Sequence, residues 1–187
     1  CIRDSNNGFR LDGVSAYARL GLSVSNAGDV NGDGFDDVIV GAYGADPNGF
    51  ASGSSYVVFG KASGFDATMD LSSLDGANGF RLAGVAEYDR SGISVSSAGD
   101  VNGDGFDDVI VGAYHAGPNG LSSGSSYVVF GKTSGFDAAI NLSDLNGSNG
   151  FRLDGAAAGD RSGWSVSNAG DVNGDGFDDV IVGADSD

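Results

Sequence analysis

Residues 28–42 read GDVNGDGFDDVIVGA, and the same letters return at residues 99–113 and 170–184. The interval is 71 residues both times. An exact repeat at a fixed period predicts an array in which each copy forms one structural unit. The segment joins an acidic, glycine-containing loop to an apolar run rich in valine and isoleucine, which is typical of a loop that leads into a β-strand.

The rest of the chain keeps this period. The triplet Phe-Arg-Leu starts at Phe9, Phe80 and Phe151. The decapeptide SGSSYVVFGK starts at Ser52 and Ser123. We therefore predict a single array of about 2.6 repeats, with units at about 9–79, 80–150 and 151–187. Because a third decapeptide would fall beyond Asp187 and the chain begins with Cys1, we expect a piece of a longer protein.

Composition narrows the class of protein. The formal charge is −17, with 26 acidic against 9 basic residues, and the basic residues form no cluster. This balance disfavours binding to nucleic acids and to anionic membranes. No apolar run is long enough to span a bilayer, so we expect no transmembrane segment. The single cysteine excludes an internal disulfide, and 34 glycines without a Gly-X-Y period predict many tight turns.

The segments between the turns predict strands. Residues 21–28 alternate apolar and small polar side chains, and residues 37–43 form a continuous apolar run, which is typical of a strand buried on both faces. Residues 9–13 and 54–60 complete four strands per repeat. No stretch sustains the apolar period of a helix over several turns. The fold class is therefore predicted to be all-β.

The acidic loop reads Asp-x-Asn-x-Asp-Gly-x-x-Asp, with oxygen ligands at alternate positions and a glycine at the sharp turn, as a hard cation such as Ca²⁺ requires. An EF-hand would carry Glu at position twelve, where this chain has Val40 and its counterparts in a strand. We predict three structural Ca²⁺ sites, each formed by side chains at positions one, three, five and nine and the carbonyl at position seven. The predicted ligands are Asp29, Asn31, Asp33, Phe35 and Asp37; Asp100, Asn102, Asp104, Phe106 and Asp108; and Asp171, Asn173, Asp175, Phe177 and Asp179. At position eight, Asp36, Asp107 and Asp178 are predicted to point away from the ion.

At these residues the chain resembles the FG-GAP repeats of the integrin α-subunit N-terminal β-propeller, most closely over residues 21–42, and in the form found in large bacterial surface proteins. The resemblance implies four-stranded antiparallel blades whose Asp-rich hairpins hold Ca²⁺. The family's Phe-Gly pair is Leu20-Gly21 in the first repeat, and its Gly-Ala-Pro is Gly41-Ala42-Tyr43. Propellers close with four to eight blades. This chain carries at most three, so we expect an incomplete propeller that is part of a larger ring or assembles head to tail.

Catalysis is not predicted. The chain contains one Gly-x-Ser-x-Gly sequence, centred on Ser122, but the equivalent residue in the first repeat is Ala51, and the motif precedes a strand instead of joining a strand to a helix. His115, the only histidine, replaces Gly44 and is expected to be an exposed loop residue. Trp164 stands in a predicted strand and is expected to fill the core.

The predicted function is therefore that of a calcium-binding structural or adhesive repeat protein, extracellular or on a cell surface, whose partner is itself or an extracellular protein or glycan. Two alternatives remain open. In the first, the chain is a carbohydrate- or protein-binding propeller that uses loops 44–51 and 115–122, where all four differences between residues 29–60 and 100–131 occur. In the second, it is an accessory domain of a larger secreted hydrolase.

Overall fold

The computed structural model describes residues 8–133 and 135–185, so the expectation attached to Cys1 lies outside the described residues. The thirteen strands are β1 (Arg10–Asp12), β2 (Leu20–Gly28), β3 (Asp37–Ala42), β4 (Ser54–Val58), β5 (Thr68–Asp70), β6 (Gly79–Ala83), β7 (Ser94–Gly99), β8 (Asp108–Ala113), β9 (Ser125–Val129), β10 (Ala139–Asn141), β11 (Gly150–Asp154), β12 (Ser162–Gly170) and β13 (Asp179–Ala184). Two 3₁₀ turns, Leu71–Ser73 and Leu142–Asp144, are the helical elements of this part of the chain. Within it, no helix has the length and apolar character needed to cross a membrane.

The strands form blades of β-propeller type. In the first blade the order is β2-β3-β4-β6, and in the second it is β7-β8-β9-β11, with antiparallel pairing throughout both blades. The third blade consists of the antiparallel pair β12-β13. The all-β prediction and the prediction of an incomplete propeller are both confirmed.

The blades are offset from the sequence period by one strand. The Phe-Arg-Leu strands that open the second and third periods, β6 and β11, complete the blade of the preceding repeat. β6 pairs with β4 from Ser54↔Ala83 to Val58↔Gly79, and β11 pairs with β9 in the same way. β3 pairs with only one edge of β4. The N–H and C=O groups on the other edge of β4 need partners, and β6 supplies them. The predicted units of 9–79, 80–150 and 151–187 thus follow the sequence period, whereas the first hydrogen-bonded blade extends from β2 to β6.

The first two repeats each contain a fifth strand that pairs outside its own blade. After leaving the second blade at β9, the chain forms β10, which pairs in parallel with β6 at the outer edge of the first blade. The same connection joins β5 to β1. Sequence analysis did not predict these strands, because three residues are too few to show an alternating pattern. They act as straps between the outer edges of consecutive units.

The core lies between the blades. One buried cluster combines Ile39 and Val57 of the first blade with Val95, Val109 and Val129 of the second. A smaller cluster joins the second blade to the third, where Ala98, Ile110 and Val128 pack against Val166 and Val180. The second blade is therefore covered on both of its faces.

The end blades each keep one open face. Val24 in β2 is 63% exposed, whereas its counterpart Val95 in the second blade is 5% exposed. At the other end Ile181 in β13 is 60% exposed, whereas its counterpart Ile110 is fully buried. Both differences arise because none of the described residues covers these two faces. We call the face of Leu22 and Val24 the first-blade face, and the face of Val172 and Ile181 the third-blade face.

The prediction of a core position for Trp164 is wrong. This side chain is 44% exposed. Its ring meets the edge of Tyr114 with the two centroids 4.6 Å apart. The indole thus packs against Tyr114 at the margin between the second and third blades.

Candidate metal centre

Each acidic loop connects the first two strands of a blade. The three loops lie in the hairpins β2-β3, β7-β8 and β12-β13, and each hairpin shows a register shift where the loop begins. The sixth loop residue is glycine with a positive φ: 87° at Gly34, 88° at Gly105 and 90° at Gly176. Residues other than glycine rarely adopt this backbone conformation, which explains why the turn needs glycine.

The first aspartate of each loop organises the turn. Asp29 Oδ1 accepts a hydrogen bond from the N–H of Asp33 at 3.0 Å, and its Oδ2 accepts one from Gly34 at 2.9 Å. Asp100 and Asp171 repeat this pattern on the corresponding amides of their loops. At Asp171 these backbone hydrogen bonds, that from Gly176 above all, lower the pKa of the carboxyl group. A charged carboxylate is therefore favoured at this position.

The third and fifth positions bind each other. Asn31 Oδ1 accepts from the N–H of Asp33 at 2.9 Å, while Asn31 Nδ2 donates to Asp33 Oδ2 at 3.1 Å. Asp33 Oδ1 in turn accepts from the N–H of Phe35 at 2.9 Å. The second loop has the same three bonds among its equivalent residues. In the third loop the amide of Asn173 donates to Asp179 instead, at 3.4 Å.

The ninth position holds a buried carboxylate in the first two loops. Asp37 and Asp108 are both fully buried at the start of β3 and β8. Asp108 accepts hydrogen bonds from Gly131 N–H at 2.9 Å and Val101 N–H at 3.1 Å. Asp37 accepts the equivalent pair from Gly60 and Val30. These bonds connect the start of the strand to its own loop and to a glycine just beyond the third strand of the same blade.

Burial and like charge act together on these two groups. Burial raises the pKa of Asp108 to about 7, although the hydrogen bonds from Gly131 and Val101 lower it, and the charges of Asp104 and Asp100 add to the rise. Burial likewise raises the pKa of Asp37 to about 6, with additional contributions from the charges of Asp33 and Asp29. Each buried carboxylate therefore faces further negative charge within its own loop.

The donor chemistry of the loops fits a hard divalent cation. Each loop brings carboxylate and amide oxygens at positions one, three, five and nine into one hydrogen-bonded turn, with Phe35, Phe106 or Phe177 at the seventh position. The three ion pairs found in residues 8–133 and 135–185 involve none of these carboxylates. The loops are not closed metal clusters, however, since no three His, Cys, Asp or Glu side chains of the described residues are grouped closely enough to hold a metal ion.

The eighth position behaves differently from one loop to the next. Asp36 is exposed and accepts a hydrogen bond from Asn26 Nδ2 at 3.2 Å. Asp107 and Asp178 are half-buried instead, and each reaches the backbone of the preceding loop. Sequence analysis missed this contact. The signal lay in the invariance of the residue across all three copies, although its partner belongs to another repeat.

The variable loops lie at the opposite end of the blades, where the second and third strands of each blade are joined. In the first repeat, Asp46 Oδ1 accepts from the N–H of Ala51 at 2.6 Å. In the second repeat glycine replaces Asp46, and a hydrogen bond between His115 Nδ1 and Ser122 Oγ, 3.0 Å apart, spans the loop instead. Three of the four sequence differences, at positions 44/115, 46/117 and 51/122, thus replace one hydrogen bond across the loop with another.

The contact between His115 and Ser122 does not make a nucleophilic site. Ser122 has a φ of 52°, but Ala51 has nearly the same φ of 51° without a hydroxyl group, so this conformation belongs to the loop. The amides that follow Ser122 are already used, because Ser123 donates to Gly120 and Gly124 donates to Ala116. They are not free to stabilise an oxyanion, which a serine nucleophile requires.

Exposed aromatic side chains accompany the variable loop of the first repeat. Phe50 is 62% exposed, and its ring lies 5.5 Å from that of Tyr88. The backbone joins the same two residues, since Tyr88 N–H donates to Phe50 O at 2.9 Å. Tyr17 and Leu121 are also largely exposed. Sequence analysis did not single out Tyr17 or Tyr88, because each lies in a turn without an apolar pattern.

Known proteins are similar to this chain in sequence. The FG-GAP repeat model matches residues 20–58, 91–129 and 162–187. A phosphatidylinositol-glycan-specific phospholipase D of Bos taurus is 33% identical over 170 residues, which cover 90% of this chain and 19% of that protein. Integrin alpha pat-2 of Caenorhabditis briggsae is 35% identical over 169 residues, or 83% of this chain and 12% of the integrin. Integrin alpha-IIb of Mus musculus is 31% identical over 183 residues, or 94% of this chain and 16% of the integrin.

The chain thus spans less than a fifth of the length of each of these relatives. The three matched segments start 71 residues apart, at the interval of the acidic loops. Together they make up more than half of the sequence, and each contains one of the loop-to-strand segments described above. The chain belongs to the FG-GAP repeat family.

Proposed function

We propose that the chain is a calcium-binding structural or adhesive module of an extracellular or cell-surface protein, with one Ca²⁺ in each acidic loop. The observation that carries the proposal is Asp108, a fully buried carboxylate that faces the charges of Asp104 and Asp100 and forms no ion pair with any described residue. Buried charges are strongly destabilising unless they are paired or bind a metal. Similarity to integrin alpha chains supports the adhesive part of the proposal.

Positions one, three, five, seven and nine of each loop would hold the ion, as predicted from the sequence. Bound calcium would neutralise the densest negative charge in the chain, because the three loops contain 12 of its 26 acidic residues. It would also fix each hairpin at the end where Asp29, Asp100 or Asp171 organises the turn. Calcium modules of extracellular proteins bind with dissociation constants of about 10⁻⁴–10⁻³ M, and we expect affinities in this range for the three loops.

Replacing one loop aspartate tests the ligand assignment. Asp104→Ala is expected to reduce the bound calcium from three ions per chain to two, because it removes an oxygen ligand from the second loop only. Isothermal titration calorimetry of the EDTA-treated protein measures this number. The control is Asp66→Ala, which removes an exposed carboxylate outside the loops and leaves three ions. Three ions in the Asp104 variant would contradict the assignment.

The open faces support assembly with a second copy of the chain. Within the chain, Val95 packs in the same buried cluster as Val30 and Ile39 of the preceding blade. Val24 is the counterpart of Val95, while Val172 and Ile181 are the counterparts of Val30 and Ile39. The first-blade face of one copy would therefore pack on the third-blade face of another and repeat an interface that the chain already contains. Such head-to-tail contacts are heterologous and form either rings or filaments.

Single charges on these faces test the assembly. Val24→Asp and Ile181→Asp are each expected to abolish higher assemblies, because each places a carboxylate in the apolar interface. Mixing the two variants should restore dimers, since each of them keeps one intact face. Light scattering in calcium measures the mass, and Leu121→Asp is the control for an exposed apolar residue on a different surface. A strictly monomeric unsubstituted chain would contradict the proposal.

A second candidate function rests on the exposed pair of Phe50 and Tyr88. Aromatic side chains exposed on a rigid loop are suited to contacts with sugar rings or with protein surfaces. In this candidate the module binds a glycan or a protein through the variable loop of the first repeat. Binding on a glycan array that Phe50→Ala abolishes would favour it over a purely structural role.

The similarity to phospholipase D supports a third candidate, in which the chain is an accessory module of a longer enzyme. In this candidate the catalytic residues belong to another part of the protein, and we propose no catalytic activity for the repeats themselves. The sequence that flanks this module in the full-length protein tests the candidate. A hydrolase domain beside the repeats would support it.

A further inference from the structure

Asp107 joins the second acidic loop to the first. Its Oδ2 accepts a hydrogen bond from the N–H of Asp29 at 2.8 Å, and its own N–H donates to Asp29 O at 3.3 Å. Asp178 makes the same two contacts with Asp100, at 3.0 and 3.1 Å. At both junctions the eighth residue of one loop thus binds the first residue of the preceding loop.

An aromatic contact reinforces each junction. A Cβ atom added to Gly32 would lie 2.3 Å from the ring of Phe106, and one added to Gly103 would lie 2.4 Å from the ring of Phe177. The ring at the seventh position therefore covers the glycine at the fourth position of the preceding loop. The equivalent glycine of the third loop, Gly174, has none of the described residues within 4 Å of such an atom.

These contacts involve the residues that would hold calcium, or their direct neighbours in the chain. Asp29 is a proposed ligand in the first loop, and Asp107 lies between the proposed ligands Phe106 and Asp108 in the second. A cation that fixes residues 106–108 would therefore also fix the carboxylate and the ring that rest on the first loop. By thermodynamic linkage, a cation in the first loop would favour binding in the second by the same factor.

We propose that the acidic loops bind calcium with positive cooperativity along the array, and that Asp107 and Asp178 are the positioning residues that couple neighbouring loops. This inference rests on the proposed calcium-binding function. A coupling of the usual size changes the affinity of a neighbouring site about five-fold or more. Two coupled junctions would make the three loops fill over a narrower range of calcium concentration than independent sites.

Asp107→Ala tests the coupling against a matched control. Asp36→Ala removes the equivalent residue from the first loop, where, among the described residues, the Asp36 carboxylate contacts Asn26 of its own hairpin and no other acidic loop. Calcium is titrated into the EDTA-treated full chain, and binding is followed by calorimetry. We expect a Hill coefficient above one for the unsubstituted chain and for Asp36→Ala. We expect a clearly lower coefficient for Asp107→Ala, with three ions still bound.

Hydrogen exchange at the amide of Asp29 provides a readout that does not depend on affinity. This amide donates to the Asp107 carboxylate, so Asp107→Ala should lose its protection and Asp36→Ala should keep it. Unchanged protection in Asp107→Ala would contradict the proposed junction. A loss of protection without a fall in the Hill coefficient would show a structural contact that does not transmit binding, and would overturn the proposal.

A second pair of variants decides the question if Asp107→Ala fails to fold. Gly32 and Gly174 have similar positive φ angles of 71° and 79°, so replacing either with alanine imposes similar backbone strain. Only Gly32→Ala displaces the ring of Phe106. We expect Gly32→Ala to lower the Hill coefficient and Gly174→Ala to preserve it, and equal coefficients would overturn the coupling.

The same titration separates this inference from the function on which it rests. Three ions bound independently by the unsubstituted chain, with a Hill coefficient of one, would overturn the coupling and leave the calcium sites in place. An unsubstituted chain that binds no calcium would overturn the proposed function, and the coupling with it.

Discussion

Removing calcium with EDTA is expected to lower the free energy of unfolding by about 4–8 kcal/mol relative to about 10 mM calcium, as follows for three sites with dissociation constants of about 10⁻⁴–10⁻³ M. The structural reason is the density of carboxylates in the loops. Without the ion, Asp37 and Asp108 stay buried beside further negative charge. For a chain of 187 residues, this change corresponds to a fall in Tm of roughly 10–30 °C.

Thermal unfolding followed by circular dichroism measures this effect. Magnesium at the same concentration is the control for ionic strength, because Mg²⁺ demands a near-ideal octahedral site with shorter bonds than those of Ca²⁺. Full recovery on returning calcium is expected. An unfolding temperature that is the same in EDTA and in calcium would contradict a structural role for the ion.

Replacing Phe80 with alanine is expected to destabilise the chain by about 3–5 kcal/mol, the usual range for a buried phenylalanine. Phe80 is fully buried and stacks on Phe136, with the ring centroids 4.6 Å apart. It also meets Phe59 edge to face at 5.8 Å. Phe59 and Phe80 belong to the first blade, and Phe136 lies in the segment that leads into β10. The cavity would therefore open where consecutive units are joined.

Phe151→Ala is the matched control, because Phe151 occupies the equivalent position in the next repeat. It is only partly buried and has one aromatic neighbour, Phe130, at 5.9 Å. We expect a cost of about 1–2 kcal/mol for this variant, in proportion to the smaller apolar area that it buries. Urea denaturation measures both values in the presence of calcium. Equal costs at the two positions would contradict the packing described for the junction.

The features that recur within one repeat could be predicted from the sequence. The apolar run of residues 37–43 predicted a buried strand, which β3 and β8 confirm, whereas in their counterpart β13 the side chain of Ile181 is 60% exposed. The blades of propeller type and the family are likewise confirmed. The ligand set of the loops and the repeat bounds stay predictions.

Features that depend on contacts between repeats could not be predicted in this way. A periodic sequence shows which residues recur, but it does not show which strand edge or neighbouring loop they meet. β10 is three residues long, and its partner β6 lies more than 50 residues earlier in the chain. The aspartate at the eighth loop position recurs in every copy. Asp107 nevertheless contacts Asp29 only because two blades bring their loops together.

Position in the array also changes the environment of identical residues. Val24 and Val95 occupy equivalent sites in the same motif, but one is exposed and the other is buried. The difference lies entirely in the presence of a neighbouring blade. The same argument explains why Asp36 is exposed although Asp107 is half-buried. The chemistry of each repeat is therefore set partly by the repeat beside it.

The most direct test of the central claim is a count of the calcium bound to the chain. The protein is freed of metal with EDTA and dialysed to equilibrium against buffer that contains millimolar calcium, and calcium and protein are then measured in the same sample. Three ions per chain would support one site in each acidic loop. A chain that retains its β structure and binds no calcium would contradict the account.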